Sequence, residues 1–197
     1  MDVDRMESGF KSIFGAWTQA IGTVVSAIGS TPFPYVSEQW LTNIDLIGNV
    51  MQGTGNALQA DETGEPLEKL GNEIQAIGNS SCVTGIIMDF NEEAKQKLII
   101  TGNWLQALGG LTVVADQLKE RSNGNQTLIL IGNLLQAIGN SLQAISVTYE
   151  LKDKDIKYGA KGEQGDTRYT QTLHVSGSWI QAVGSVMCLI GQSKEGT

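Results

Sequence analysis

The side chains best equipped for acid–base, nucleophilic or metal chemistry in this sequence are one histidine, two cysteines and a short run of carboxylates. His174 is the only imidazole, and it stands just before a repeated motif. A general base needs a nucleophile and a partner that orients it, so a capping or surface role suits His174 better. Cys82 and Cys188 lack a CxxC partner and a His cluster, which zinc sites require, and they read as buried thiols. They fall in the same slot of two repeats, so they would be level, and able to pair, if the third and sixth helices were neighbours. Asp61, Glu62, Glu65 and Glu68 could attract a cation, but calcium loops alternate their ligands. This run fits a solvated turn followed by a helix start. No GxSxG, HExxH or Walker string occurs, and SNGN at 122–125 lacks the Lys and Ser or Thr that cradle phosphate. The expectation is a protein that is not an enzyme, with no catalytic residue, no cofactor and no metal.

One polar side chain does recur in a pattern, and its chemistry is hydrogen bonding by a primary amide. The same unit begins at Gly15 (GAWTQAIG), Gly48 (GNVMQGTG), Gly71 (GNEIQAIG), Gly102 (GNWLQALG), Gly132 (GNLLQAIG) and Gly177 (GSWIQAVG). Its fifth slot is always glutamine: Gln19, Gln52, Gln75, Gln106, Gln136 and Gln181. Glycine returns seven residues after the first, at Gly22, Gly55, Gly78, Gly109, Gly139 and Gly184. Gly29, Gly85 and Gly191 close a second heptad, with Ser146 in that place in the fifth copy. Two readings of the Gln slot stay open. In one, Gln and Asn mark a stripe facing water; in the other, the amides are partly buried and fix helix register by bonding to backbone that a partner glycine leaves uncovered.

A period of seven distinguishes helix from strand. In a strand, a seven-residue step lands on the opposite face; in a helix it returns to nearly the same face with a drift of about 20°. The units are therefore helical, and the breakers between them set six helices at about 7–29, 37–60, 66–88, 92–121, 126–150 and 170–192. Short links make sequential neighbours antiparallel. The fold expected is all-α, a six-helix antiparallel bundle of glycine-heptad repeats, three helical hairpins in one domain over 1–197. The stretch 151–169, rich in Lys, Asp and Gly, is expected to be an exposed charged connection between helices five and six.

On a helical wheel the slots divide into a broad arc of Ala, Trp or Leu, Ile and Gly and a narrow arc of Asn and Gln. The broad arc is wider than the seam of a two-stranded coiled coil and wide for a small bundle, and the surface left over is the motive for expecting self-association; close approach along the Gly edge would leave room for Trp17, Trp104 and Trp179 of neighbouring units. Mid-helix glycine costs about 1 kcal/mol relative to alanine, so the second-Gly set is expected to offset this by close backbone approach between helices.

The formal net charge of −8 argues against a nucleic-acid partner. An acidic start without a basic, apolar leader implies a cytoplasmic protein, with membrane association or non-classical export as alternatives. The uncharged helical windows raise the membrane question, yet each contains several Asn, Gln, Ser or Thr, and mean hydropathy is −0.08. Six alternating spans would place six Lys and Arg on one side and seven on the other, with no positive-inside bias.

On the string GNLLQAIGNSLQAIS and its neighbouring copies, the chain resembles uncharacterised repetitive proteins of Bacillus-type spore-forming bacteria. The resemblance covers most of the chain and implies a bacterial origin without an activity. The second copy departs from it, with Gly53 and Thr54 where Ala and Ile usually stand. The function expected is that of a structural or protein-interaction module that self-associates or binds a protein partner. The alternative is a membrane-active or membrane-inserted helical bundle.

Overall fold

The computed structural model describes residues 3–119, 124–159 and 167–195, with side chains over 10–119, 124–152 and 168–194. Six helices follow one another: α1 Val3–Ser30, α2 Glu38–Glu62, α3 Pro66–Ile87, α4 Glu92–Gln117, α5 Gly124–Gly159 and α6 Thr167–Glu195. Among the described residues there is no strand. Their ends follow local chemistry. Ser37 and Asn91 cap α2 and α4 by accepting from the Trp40 and Ala94 N–H groups, which would otherwise lack partners. Pro66 occupies the first turn of α3, where its missing N–H is not needed.

One boundary differs from expectation. Residues 151–159 continue α5, and Thr167, Arg168 and Tyr169 already belong to α6. The expected connection over 151–169 is thus shortened to 160–166, which lies outside the described residues. The physical reason is that Lys and Asp interleaved in LKDKDIKY are tolerated in a helix, and the first strong breaker is Gly159.

Each helix packs against the next in sequence, and α6 closes on α1, so the six form a ring. The tightest seams lie within the hairpins α1–α2, α3–α4 and α5–α6. Glycines face each other there in reciprocal pairs: Gly15 with Gly55, Gly22 with Gly48, Gly71 with Gly109, Gly78 with Gly102, Gly132 with Gly184, and Gly139 with Gly177. A Cβ at Gly109 would lie 2.5 Å from the Gly71 carbonyl oxygen, and one at Gly78 would lie 2.6 Å from that of Gly102. Among the described residues no glycine has positive φ, so the use of those in the seams is close approach and not backbone freedom.

Of the two readings left open for the Gln slot, the structure takes the buried one. The largest fully buried side chains are Gln136, Asn56, Asn79, Asn140, Thr23, Ser146, Ser178 and Ser185, all polar. Buried apolar residues are mostly alanines, such as Ala20, Ala107, Ala137 and Ala182. The broad apolar arc points outward. Trp17, Trp104 and Trp179 are 52 %, 46 % and 41 % exposed, and Ile77, Leu108, Ile138 and Val183 share that outer face. The glycine seams explain the rotation: with Gly and Ala turned toward neighbouring helices, the adjoining Asn and Gln fall inside and the bulky slots fall outside.

Adjacent positions on α4 test the role of close approach. A Cβ at Gly109 meets backbone oxygen, whereas at Gly110 the nearest atom is the Asn133 carbonyl oxygen at an ordinary 3.4 Å. Gly109→Ala should destabilise by about 2 kcal/mol through overpacking. Gly110→Ala should be neutral or stabilise by up to about 1 kcal/mol through helix propensity. Thermal melts followed by helical circular dichroism measure both, and equal effects would refute the seam.

Candidate functional site

The Gln slot extends by heptads into a column along each helix, buried at its Gln members and exposed at Glu38 and Glu92. On α2 the column runs Glu38, Asp45, Gln52, Gln59; on α6, His174, Gln181, Cys188; on α5, Ile129, Gln136, Gln143, Glu150. On α4 it runs Glu92, Ile99, Gln106, Val113; on α1, Ser12, Gln19, Ser26; on α3, Glu68, Gln75, Cys82. All six register glutamines are buried, from 1 % exposure at Gln136 to 6 % at Gln19.

The amides bond mainly to one another. In one relay Gln192 donates to Gln59 (3.1 Å), Gln59 to Gln19 (3.0 Å) and Gln19 to Gln136 (2.9 Å). Gln136 then donates to the Cys188 sulfur (3.4 Å), and that thiol to the Ile129 carbonyl (3.4 Å). In a second relay Gln143 donates to Gln181 (2.9 Å), which donates to Gln52 (2.7 Å) and Gln106 (3.3 Å). Gln106 in turn donates to the Cys82 sulfur at 3.6 Å. The two relays join all six helices through the middle of the ring. The water-facing reading of this slot fails because the ring closes over it. The expected bond to a partner's bare backbone is replaced by amide–amide and amide–thiol bonds. Gln75 is buried outside both relays.

The interior also holds polar atoms without a protein partner: Oδ1 of Asn56 and Asn79, both amide atoms of Asn140, Oγ of Ser185 and Oε1 of Gln96. Such atoms are costly in a dry core.

At one end the ring opens into a cavity of about 1140 Å³ lined by all six helices. Its walls include the α1–α2 turn, the first turns of α2, α4 and α6, the last turn of α3, and α5 at Gln143, Val147 and Glu150. Asn103 and Gln143 line its floor, and Gln143 leads into the second amide relay. Asp45 sits in the wall, accepting from Asn49 Nδ2 at 3.0 Å and from the Ser26 hydroxyl. His174 is half-buried in the same wall, so the expected capping or surface role gives way to a place in the mouth. Asp45 was not apparent as a site residue. Aligning the copies three residues before their first glycine would have found it, because Asp45 and His174 share that slot.

The remaining candidates stay apart. Cys82 and Cys188 are free and buried, and α3 does not contact α6 among the described residues. Each thiol instead packs on the other helix of its own hairpin, against Gly102 and Gly132. Within the acidic run, Asp61 pairs with Lys11 at 3.1 Å, Glu62 lies 3.4 Å from the same ammonium, and Glu68 accepts from the Thr63 hydroxyl. The Lys11 pKa is raised, first by its hydrogen bond to Asp61 and then by the charge there. These groups join the α1 and α2 ends opposite the mouth. No group of three His, Cys, Asp or Glu is placed to hold a metal among the described residues.

A family model described as a family of unknown function (DUF6944) matches residues 10–189. No curated protein and no solved structure matches the chain.

Gln181 makes three amide contacts and Gln75 makes none, so the pair isolates the relay. Gln181→Leu should lower stability by about 2–4 kcal/mol by stranding the amides of Gln52, Gln106 and Gln143, while Gln75→Leu should lose less. Chemical unfolding of both variants reads the difference, and a Gln181→Leu protein as stable as the parent would show that the amides are not paired.

Proposed function

We propose that this chain, which belongs to the DUF6944 family of unknown function, is a membrane-inserted helical bundle that carries a polar, amide-lined interior through a bilayer. The observation that carries the reading is the inverted polarity: amides inside, aliphatic and aromatic side chains outside on all six helices. Water-soluble monomers rarely expose apolar patches beyond a few hundred Å², whereas lipid has no preference against such a surface. In lipid, helices associate through small residues at close seams and through interhelical polar bonds, and this ring has both.

Three helices are long and apolar enough to cross a membrane: Glu92–Gln117, Gly124–Lys152 and Arg168–Lys194. Residues 98–115, 124–149 and 169–193 carry no Asp, Glu, Lys or Arg. At 1.5 Å per residue, even the shortest of these spans about 27 Å, against a hydrocarbon thickness of about 30 Å. The uncharged stretches of α2 and α3, 46–60 and 74–88, are shorter. Asp45 bounds one of them but turns inward to Ser26 and Asn49. Glu73 is exposed on the outer face, toward the end of α3 that lies away from the mouth, where a charged head can reach the interface. Around the mouth end, Phe33, Tyr35, Trp40, Phe90, Tyr149 and Tyr169 are exposed, and Trp and Tyr favour the boundary between hydrocarbon and water.

In this proposal the protein is not an enzyme. The amide network is the device that admits or blocks small polar solutes, and the bilayer takes the place of the expected protein partner around the outer face. A soluble assembly, in which further copies of the chain cover that face, is the second outcome of the test below.

Leu108 is 53 % exposed near the middle of the uncharged part of α4. The full chain should sediment with membranes, resist alkaline carbonate and need detergent for extraction. Leu108→Lys should reduce insertion, at a cost of about 2.5–3.5 kcal/mol for a charge at the centre of a span. Recovery of the parent in detergent-free supernatant, with Leu108→Lys indistinguishable from it, would sink the membrane reading. A larger particle there that Leu108→Lys dissociates would favour the soluble assembly.

A further inference from the structure

The mouth-side end of the α1–α2 seam holds a carboxylate among neutral partners. Gly29 packs so closely on α2 that a Cβ there would lie 2.5 Å from the Asp45 amide nitrogen. Beside this contact the Ser26 hydroxyl of α1 donates to Asp45 Oδ1, and Asn49 Nδ2 donates to the same oxygen at 3.0 Å. Asp45 makes no ion pair with any described residue. Its Oδ2 takes no donor from the described residues but keeps accessible surface, and Asp45 lines the cavity of the mouth.

The other titratable groups of that wall do not supply a counter-charge. On α2 itself Glu38 has the same sign, and α1 presents only the Ser26 hydroxyl and bare Gly29. Cys82 is the titratable group that α3 adds to the wall. Across the cavity Glu92 is paired with Lys95 at 3.4 Å, Glu150 and Arg168 have partners of their own, and His174 completes the wall. A carboxylate leaving water needs a cation or further donors to stay ionised. The helix dipole does not replace them, because Asp45 lies beyond the first turn of α2, where that field acts. Asp45 stands just outside the uncharged stretch 46–60 of α2. Burial pushes its carboxyl up to about 6, against the lowering effect of the Ser26 and Asn49 bonds.

From this geometry we infer that Asp45 is a proton switch at the mouth, which holds the end of the α1–α2 hairpin closed when neutral and loosens it when ionised. The proton comes from solvent through the mouth and adds to Oδ2, the oxygen without a protein donor, while Oδ1 keeps its bonds to Ser26 and Asn49. Release returns the proton to solvent and leaves a half-buried negative charge at a seam that has no room for hydration. Parting Ser26 from Asp45 relieves it. The native chain holds this proton more tightly than the unfolded chain, whose aspartates titrate near about 3.9. The seam is therefore most stable below about pH 4 and weakens as pH rises through about 6. The inference concerns the mouth and goes beyond the membrane reading, on which it does not depend.

The test uses the full chain, isotope-labelled at its aspartate carboxyl carbons and kept in whichever medium disperses it, by NMR titration and by hydrogen exchange read with mass spectrometry. One carboxyl signal should titrate near pH 6 and be missing from Asp45→Asn. At about pH 8, peptides covering 26–30 and 41–49 should exchange about tenfold faster in the parent than in Asp45→Asn, whose neutral side chain still accepts from Ser26; at about pH 5 the two should exchange alike. Ser26→Ala removes a donor that favours the ionised form, so it should move the same signal to higher pH, and it serves if Asp45→Asn does not fold. Aspartate signals that all titrate together near about pH 4 would overturn the inference. So would equal exchange of parent and Asp45→Asn at the higher pH, or a midpoint that Ser26→Ala leaves in place. Membrane insertion with all aspartates titrating together sinks this inference alone, and a raised midpoint in a protein recovered from detergent-free supernatant sinks the preceding reading alone.

Discussion

A buried primary amide must find a partner for its N–H and C=O groups, and the arrangement of this protein depends on that requirement. Placing Gln at the same slot of six helices gives each helix an inward donor and acceptor at comparable depth. Only a closed ring lets helices that are not neighbours exchange them, as Gln19 does with Gln136 on α5 and Gln181 with Gln52 on α2. An amide bond in such an interior is stronger than one in water, and an unpaired amide is correspondingly expensive. The network therefore specifies which helices face which.

The glycine pairs act only within hairpins, whereas the amides act both within and between them. Within each hairpin, backbone meets backbone at Gly15–Gly55, Gly78–Gly102 and Gly139–Gly177, and a Cβ has no room. Between hairpins, the relays cross the interior by flexible side chains. The α1–α6 closure is the most lightly built, with Ala16, Ala20 and Leu189 as its buried apolar cluster. Rigid contact thus lies inside each hairpin, and adaptable contact lies between hairpins.

Much of the fold was legible in the sequence because its signals are local and periodic. The heptad excluded strands, and Pro32, Pro34, Pro66 and the Asp89–Asn91 run placed helix ends to within a few residues. The extension of α5 to Gly159 was missed because charge was read as loop, although Lys and Asp do not break a helix. The direction of each helix face was not legible for a different reason. A wheel separates Gln and Asn from Trp and Ile but does not state which arc meets the neighbouring helix, so the two readings of the Gln slot stayed open. The six recurring glycines carried the missing information, since a seam of close backbones fixes the rotation of each helix. The mouth was only partly legible: the slot shared by Asp45 and His174 is visible by alignment of the copies, whereas its meeting with residues of the other helices requires the ring.

The surrounding solvent matters energetically as well. In water, turning Ile77, Leu108, Ile138 and Val183 outward forgoes about 1.5–3 kcal/mol per side chain of available burial. A chain free to rotate its helices would recover that by putting the aliphatic arc inside and the amides outside. In hydrocarbon the same rotation brings no such gain, because lipid tails are as apolar as leucine, and outward amides would have no water to bond. What then decides between the two arrangements is packing at small residues and satisfaction of polar groups. Reciprocal Gly–Gly contacts and two amide relays favour the arrangement found. If the outer face meets lipid as proposed, bare backbone and primary amide are the features that decide the arrangement, and the outer face carries residues that lipid accepts without geometric demand.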